Sequence, residues 1–434
     1  MTGDRGHITV PGTPEYAPAP GAPRPTPVTD PVAVTGIGLV TPGGIGTEAT
    51  WAAVCAGRAT AGTDPVLAEA GAPVRIACRV PPQEGVRGRV WRFDPATRFL
   101  LTAAREALAT ARLDPEQWEP GRVAVVVGTA AGGVTTLEAQ HRKLLASGPG
   151  ALSPLTLPAF LPNMAAGQLA LELGATGPSL QTSTACASGA TAVITAALLL
   201  RAGLCDVAVA GGTDAMVTPL CASAFAKMGA LSRREGDPGS ASRPFDRDRD
   251  GFVLGEGSGV LVLERTAHAA ARTVRPLALL AGYGATGDAH HPTAPHPRGA
   301  GLRAATARAL AGAGRTPDEV GHINAHGTST ALNDAVEATA IRELYGTGTG
   351  PSVTSAKGVL GHTMGAAGAI EAALTVLSVA RGTVPPTAGF TAPDAATAGI
   401  DLVRAAARPQ RVGLALSHSL GFGGHNTVLA FTAA

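Results

Sequence analysis

Residues 181–212 read QTSTACASGATAVITAALLLRAGLCDVAVAGG, and the order of residue types in this stretch decides the fold class. A short hydroxyl-rich segment ends at Cys186, small residues follow, and a mostly apolar run from Ala190 to Leu200 suits a helix. Val207 to Ala210 is then a continuous apolar run, as expected of a strand covered on both faces. The same alternation continues outward. Upstream lie the run PVAVTGIGLVTP at 31–42, helices near Glu48 to Ala56 and Arg98 to Ala111, and the strand Arg122 to Gly128. Downstream come SGVLVLE at 258–264, Leu277 to Tyr283, a helix Gly301 to Ala313, HINAHG, a helix Asp334 to Leu344, VTSAKG, a helix Gly365 to Arg381, and GLALSHS at 413–419. Repeated strand, helix, strand units indicate α/β layers. The second half repeats the style of the first, so two similar halves meeting near residue 275 are expected, and no short-period repeat suggests a solenoid.

The chain has 434 residues, more than one ordinary domain of about 100–200 residues needs. Residues AVILMFWYC make up 45% and charged residues only 15%, which excludes a disordered or coiled-coil chain. A net charge of +2 without like-charge blocks gives no argument for nucleic acid or an anionic membrane as partner. The five cysteines form no CxxC-type ligand pair and read as reduced thiols of a cytoplasmic protein. Residues 1–30 are rich in proline and are expected to be a disordered, extended tail, with no apolar core of a secretory signal. No run reaches the ~18 uncharged apolar residues of a membrane span, since Arg201 and Glu371 interrupt the best candidates.

Four segments could carry chemistry. Cys186 stands where a strand turns into a helix, and the helix's positive end favours the thiolate form; a lone cysteine fits a small buried hydrophobe as well. Asn324-Ala-His326-Gly-Thr328-Ser-Thr330 places a histidine at a strand end beside three hydroxyls, free to face a cleft or merely to satisfy its loop. Ser355-Ala-Lys357-Gly-Val-Leu-Gly-His362-Thr-Met-Gly-Ala-Ala-Gly368 crowds glycines around a lysine and a histidine at the entrance of an apolar helix. That lysine is notable because Lys143 and Lys227 are the chain's only others. Residues 417–426, SHSLGFGGHN, form a glycine-rich loop of the kind that can aim backbone amides at an oxyanion.

Three further patterns fail on inspection. Gly36-Ile-Gly38 lacks the third glycine and the following helix of a dinucleotide fingerprint. Asp246-Arg-Asp248-Arg-Asp250-Gly251 opens like a calcium loop, but Gly257 stands where its bidentate glutamate belongs. His290, His291 and His296 lie among prolines with no regular face to present them. No metal is expected.

Together and in this order, TACASG, NAHGTST, SAKGVLGHTMGAAG and GFGGHN, with RPFDRDRDGFVLGEGSG at 243–259, resemble the elongating β-ketoacyl-acyl-carrier-protein synthases over the chain from about residue 31 to its end. The resemblance implies the thiolase fold: α/β, with duplicated βαβαβ halves stacked in five layers, αβαβα. It would divide the chain into the tail 1–30, an N-terminal half 31–275 with the nucleophilic cysteine, and a C-terminal half 276–434 with the catalytic histidines. It implies that Cys186 takes an acyl chain from a carrier protein's phosphopantetheine and condenses it with malonyl-carrier protein. His326 and His362 would stabilise the enolate, with Lys357 as a charged partner. Backbone amides of Cys186 and Phe422 would form the oxyanion hole, Thr328 and Thr330 would bind the pantetheine arm, and Phe422 would gate the acyl pocket. Glu371 would be a structural acid beneath the site, and Arg233 and Arg234 would meet the acidic carrier protein.

No cofactor is implied, because the phosphopantetheine belongs to the acyl carrier protein. The partner chain would be a second copy or a ketosynthase-like chain-length subunit, in polyketide or fatty-acid elongation, with composition leaning slightly to polyketides. A biosynthetic thiolase would need a C-terminal cysteine, and the last one here is Cys221. An initiating synthase pairs its cysteine with one histidine and an asparagine. A non-condensing chain-length subunit lacks the nucleophile, and a cysteine hydrolase would leave His362 and Lys357 unexplained.

Overall fold

The computed structural model describes residues 31–82, 93–348 and 350–434, so the expected tail 1–30 lies outside the described residues. Its principal elements, in chain order, are β1 (Val32–Thr41), α1 (Pro95–Ala111), β2 (Val123–Gly128), α2 (Met164–Leu173), β3 (Ser179–Thr182), α3 (Ser188–Arg201), β4 (Val207–Asp214) and β5 (Gly257–Arg265). They continue as β6 (Ala278–Gly287), α4 (Ala300–Ala313), β7 (His322–Asn324), α5 (Ala331–Tyr345), β8 (Ser352–Thr354), α6 (Ala367–Arg381), β9 (Asp401–Leu402), β10 (Leu414–Gly421) and β11 (His425–Thr432).

The strand path runs β3-β2-β4-β5-β1 and continues β6-β11-β10-β7-β8, with β9 at the far edge. With the edge strand β9 left out and each half read toward the junction, both orders are third, second, fourth, fifth, first, with the same parallel and antiparallel pairings. Among the described residues, the two sheets pair through Val32 to Val34 of β1 against Ala278 to Leu280 of β6.

Side-chain alternation assigns the layers. Val123, Val125 and Val127 face a core shared with α1 and α2, while Ala124 and Val126 face a second core containing α3 and α6. Leu414 and Leu416 likewise face α4 and α5, and Ala415 faces the central core. Helices therefore cover both outer faces and fill the space between the sheets, giving five layers. The central position explains why α6 is buried on all sides from Ala367 to Val379 and mostly apolar. The span Met364–Arg381 is apolar enough to cross a membrane by composition, but 89% of it is buried inside the protein.

Helices α1 and α5 start three residues earlier than periodicity alone suggests, whereas α6 starts two residues later than expected. Asp94 caps α1 by accepting from Ala96 N, with Pro95 at the first helical position, and Thr330 caps α5 by accepting from Asn333 N. The Gly36-Ile-Gly38 pattern also has a physical explanation. A Cβ at Gly36 would lie 2.0 Å from Ala107 O and one at Gly38 1.8 Å from Ala103 O, so these glycines let α1 rest directly on β1. Gly282 and Gly284 of β6 repeat the arrangement, at 2.1 Å from Ala309 O and 2.0 Å from Ala305 O of α4.

A methyl group at these positions must push helix from sheet. Gly38→Ala and Gly284→Ala are each expected to cost about 1–3 kcal/mol or more, read as a shift in the denaturant midpoint at constant m. A shift within error at either position would contradict the packing described.

Candidate active site

Cys186 lies in the sharp turn between β3 and α3, two residues before the first helical residue. Ala185 has φ 50, a left-handed conformation that costs a non-glycine residue about 1–2 kcal/mol. Ser188 holds the turn: its Oγ accepts from Thr184 N at 3.0 Å and donates to Ala185 O at 2.6 Å. Gly421 closes against it, since a Cβ there would lie 2.4 Å from Thr184 O. The backbone N–H of the next residue, Phe422, lies near enough to the Cys186 sulfur to pull the thiol pKa down.

The Cys186 Sγ is 3.1 Å from His362 Nε2. His362 follows the Lys357–Leu360 helical turn, is held by His362 N to Val253 O at 2.8 Å, and packs edge-on against Phe252. His326 stands beyond the end of β7, with its ring 5.4 Å from that of His362 and nearly perpendicular. The sulfur and one nitrogen of each ring lie within 4.8 Å of one another. A soft metal ion accepts such a donor set, but the nearby Lys357 ammonium opposes a cation there.

Lys357 is buried, and its Nζ donates to His326 O at 2.6 Å, lies 3.4 Å from His326 Nδ1, and pairs with Glu371 Oε1 of α6. An ammonium facing Nδ1 makes that nitrogen an acceptor, which leaves the proton of neutral His326 on Nε2. Burial pushes the Glu371 carboxyl up to about 7, with attraction to Lys357 pulling it only partly back. Burial and the Lys357 charge hold both His326 and His362 well below the ordinary histidine range. Burial also pushes the Cys186 thiol up to about 11, with Lys357 and the Phe422 N–H pulling it only partly back. Burial therefore opposes the thiolate that the helix terminus favours, and His362 Nε2 is placed to take the proton.

These groups open on a cavity of about 360 Å³ that Thr328, Thr330, Met216, Phe225, Met364 and Phe422 help to line. Thr328 Oγ1 and Thr330 Oγ1 lie 2.9 Å apart. Arg233 is exposed, whereas Arg234 is half-buried and donates to Asp248 O at 2.6 Å, which ties it to its own loop. The calcium-like loop is satisfied by protein donors: Asp246 accepts from Thr391 N, Thr391 Oγ1, Ala392 N and Asp248 N. His291 and His296 each accept backbone N–H groups of their own loop.

Sequence reasoning missed several buried groups that hold the site. Glu337 of α5 accepts from His326 N and Gly327 N, each at 2.8 Å. Asp334 accepts from Phe245 N at 2.7 Å and Ser329 N at 3.1 Å. Asp214 accepts from Gly365 N at 2.7 Å and Ala130 N at 2.8 Å, joining the two halves beside the cavity. A signal existed: Asp334 and Glu337 share the helical face of Ala338 and Ile341, where no solvated charge belongs.

Comparison with known proteins agrees with this geometry. Residues 29–269 match the family Beta-ketoacyl synthase, N-terminal domain, and residues 277–391 match Beta-ketoacyl synthase, C-terminal domain. The chain belongs to the beta-ketoacyl synthase family. A 3-oxoacyl-[acyl-carrier-protein] synthase 2 of Synechocystis sp. is 40% identical over 405 residues, covering 92% of this chain and 97% of that one. The ishigamide ketosynthase/chain length factor superposes with TM-score 0.87 at 32% identity, covering 93% of this chain and 99% of that one. A ketosynthase in complex with its type II polyketide acyl-carrier protein gives TM-score 0.87 at 30% identity, covering 93% and 100%. The chain is accordingly an acyltransferase of the 3-oxoacyl-[acyl-carrier-protein] synthase type with a thiolase-like fold.

Depressed histidine values have a pH consequence. A free imidazole is mostly protonated below pH ~6.5, so histidine-selective ¹⁵N NMR at pH 6 should find the His326 and His362 rings neutral. Their contribution to stability is present above pH ~6.5 and is lost as pH falls through their lower folded values, because the unfolded chain binds those protons first. Imidazolium signals from both rings at pH 6 would contradict this.

Proposed function

We propose that Cys186 is the nucleophile of a decarboxylative condensation that lengthens an acyl chain on a carrier protein, in type II polyketide or fatty-acid elongation. The observation that carries this reading is the 3.1 Å contact between Cys186 Sγ and His362 Nε2, with His326 beside it in a buried cavity. In acyl transfer, His362 Nε2 accepts the Cys186 proton, sulfur attacks the carrier-bound thioester, and the proton passes to the departing pantetheine thiolate. The Cys186 and Phe422 amides would hold the tetrahedral oxyanion.

A malonyl thioester then enters, with Thr328 and Thr330 binding its pantetheine arm and Phe422 gating the pocket. Loss of CO₂ leaves an enolate whose oxygen accepts from His326 Nε2–H and, once the neutral His362 ring has moved its proton from Nδ1 to Nε2, from His362, now free of its sulfur contact. The enolate carbon attacks the acyl-Cys186 carbonyl, the carbon–sulfur bond breaks, and the 3-oxoacyl chain stays on the carrier protein. Lys357 fixes the His326 tautomer in this scheme, and Glu371 balances the charge of Lys357. Arg233 is the better placed of the two arginines for an acidic carrier protein.

The division into halves at about residue 275 follows the repeated strand order. A partner of the same fold suits the open edge of β3, where Leu180 is exposed and Leu171 of α2 and Leu198 of α3 add apolar surface. We favour polyketide assembly with a chain-length partner slightly over a homodimer in fatty-acid elongation. A non-condensing role for this chain is disfavoured by Cys186. All five cysteines are free thiols, four of them buried, which supports a cytoplasmic setting.

Incubation with an acylated carrier protein should add the acyl mass to the intact protein. Cys186→Ala should abolish that addition, and its persistence would overturn the assignment. His326→Ala should still be acylated while condensation falls about 10²–10³-fold; equal loss of both steps would refute the division of labour. Affinity purification from the native source should recover a chain of the same fold lacking cysteine at the matching position. A homodimer alone would decide for the fatty-acid reading.

A further inference from the structure

We propose that His418 is a positioning residue for condensation, acting on His326 through Glu337; the inference rests on the condensing role proposed for His326. His418 and Glu337 are both fully buried, on β10 and α5, where the strand packs against the outer helix. His418 Nδ1 lies 3.1 Å from Glu337 Oε1, and that same oxygen accepts from His326 N at 2.8 Å. Glu337 Oε2 accepts from Gly327 N at 2.8 Å and faces Asn333 Nδ2 at 3.5 Å. One carboxylate thus clamps two successive amides of the turn that aims His326, where Gly327 has φ 36.

A buried carboxylate needs its lone pairs filled and its charge answered. The donors on the turn are backbone amides, and Asn333 offers a long, neutral contact. His418 is the ionisable donor in the set. Because a carboxylate only accepts, Nδ1 carries the proton of this hydrogen bond. His418 Nε2 is buried with no protein partner among the described residues, so the ring's polar contact is committed to Glu337.

The strand register gives the arrangement its reach. Ser417 of β10 pairs with Asn324 of β7, which sets His418 alongside the chain as it leaves β7 for His326. Four residues further along the same chain, the N–H of Phe422 lies near the Cys186 sulfur. One segment therefore braces the enolate-binding histidine and supplies the oxyanion donor. Among the described residues, no hydrogen bond, ion pair or ring contact links Cys186 or His362, which perform acyl loading, to the His418–Glu337 pair.

The test separates the two half-reactions. His418→Leu should leave acylation of Cys186 unchanged, by mass spectrometry, while single-turnover condensation falls about 10–100-fold, the scale of a small misplacement of a reacting group. KM for malonyl-carrier protein should not change. Asn places an amide nitrogen where Nδ1 stands, and Gln places it where Nε2 stands. His418→Asn should therefore restore condensation and His418→Gln should not. Should the leucine variant fail to fold, the Asn and Gln pair decides. Equal condensation by the Asn and Gln variants, or loss of loading in step with condensation, would overturn the proposal. Failure of the underlying reading would show differently, as wild-type protein that is not acylated at Cys186.

Discussion

Everything in the site depends on how closely α3 and α6 approach each other. A Cβ at Gly189 would lie 2.7 Å from Ala369 N, and one at Gly368 would lie 2.7 Å from Ala190 N. The contact is reciprocal, glycine to alanine in each direction, and it places the starts of both central helices side by side. Cys186 precedes one of these starts and His362 the other. Neither half contains a site alone; the chemistry exists at the contact between them.

The second constraint is charge in a dry place. Lys357, Glu371, Glu337, Asp334 and Asp214 are all buried around the cavity. Burial on this scale disfavours ionised groups unless each finds partners. Lys357 finds the Glu371 carboxylate and the His326 carbonyl, and the other acids find backbone amides of the turns beside His326 and His362. The same groups that would be costly singly become a frame that fixes turn geometry. Low surrounding dielectric also keeps the imidazoles neutral, so that their N–H groups can serve as donors at physiological pH.

Much of the fold was legible because its signals are local. Continuous apolar runs such as Val123 to Val127 announce strands covered on both faces, and the mostly apolar α6 announces a helix between sheets. Cys186, His326, Lys357 and His362 were legible as motifs because glycines and hydroxyls cluster around them. What sequence could not supply was the three-dimensional pairing of distant residues. Nothing near Glu337 in the chain points to residue 418, and the clamp forms only when β10 is laid beside β7. The opposing effect of burial on the Cys186 thiol was hidden for the same reason: a helix terminus is visible in sequence, whereas the depth of burial of the sulfur is not.

The crossing of α3 and α6 also imposes an order on synthesis. As the chain leaves the ribosome, α3 is complete at Arg201, but the surface it must cover is not made until α6 ends at Arg381. Strands β10 and β11, which close the second sheet, come later still. An apolar helix therefore waits uncovered through the making of about 180 residues, many seconds at ordinary elongation rates of ~5–20 residues per second. Duplication that yields a shared site thus has a kinetic cost: the first half cannot finish folding in its turn, and its central face must be shielded from other chains until the second half arrives.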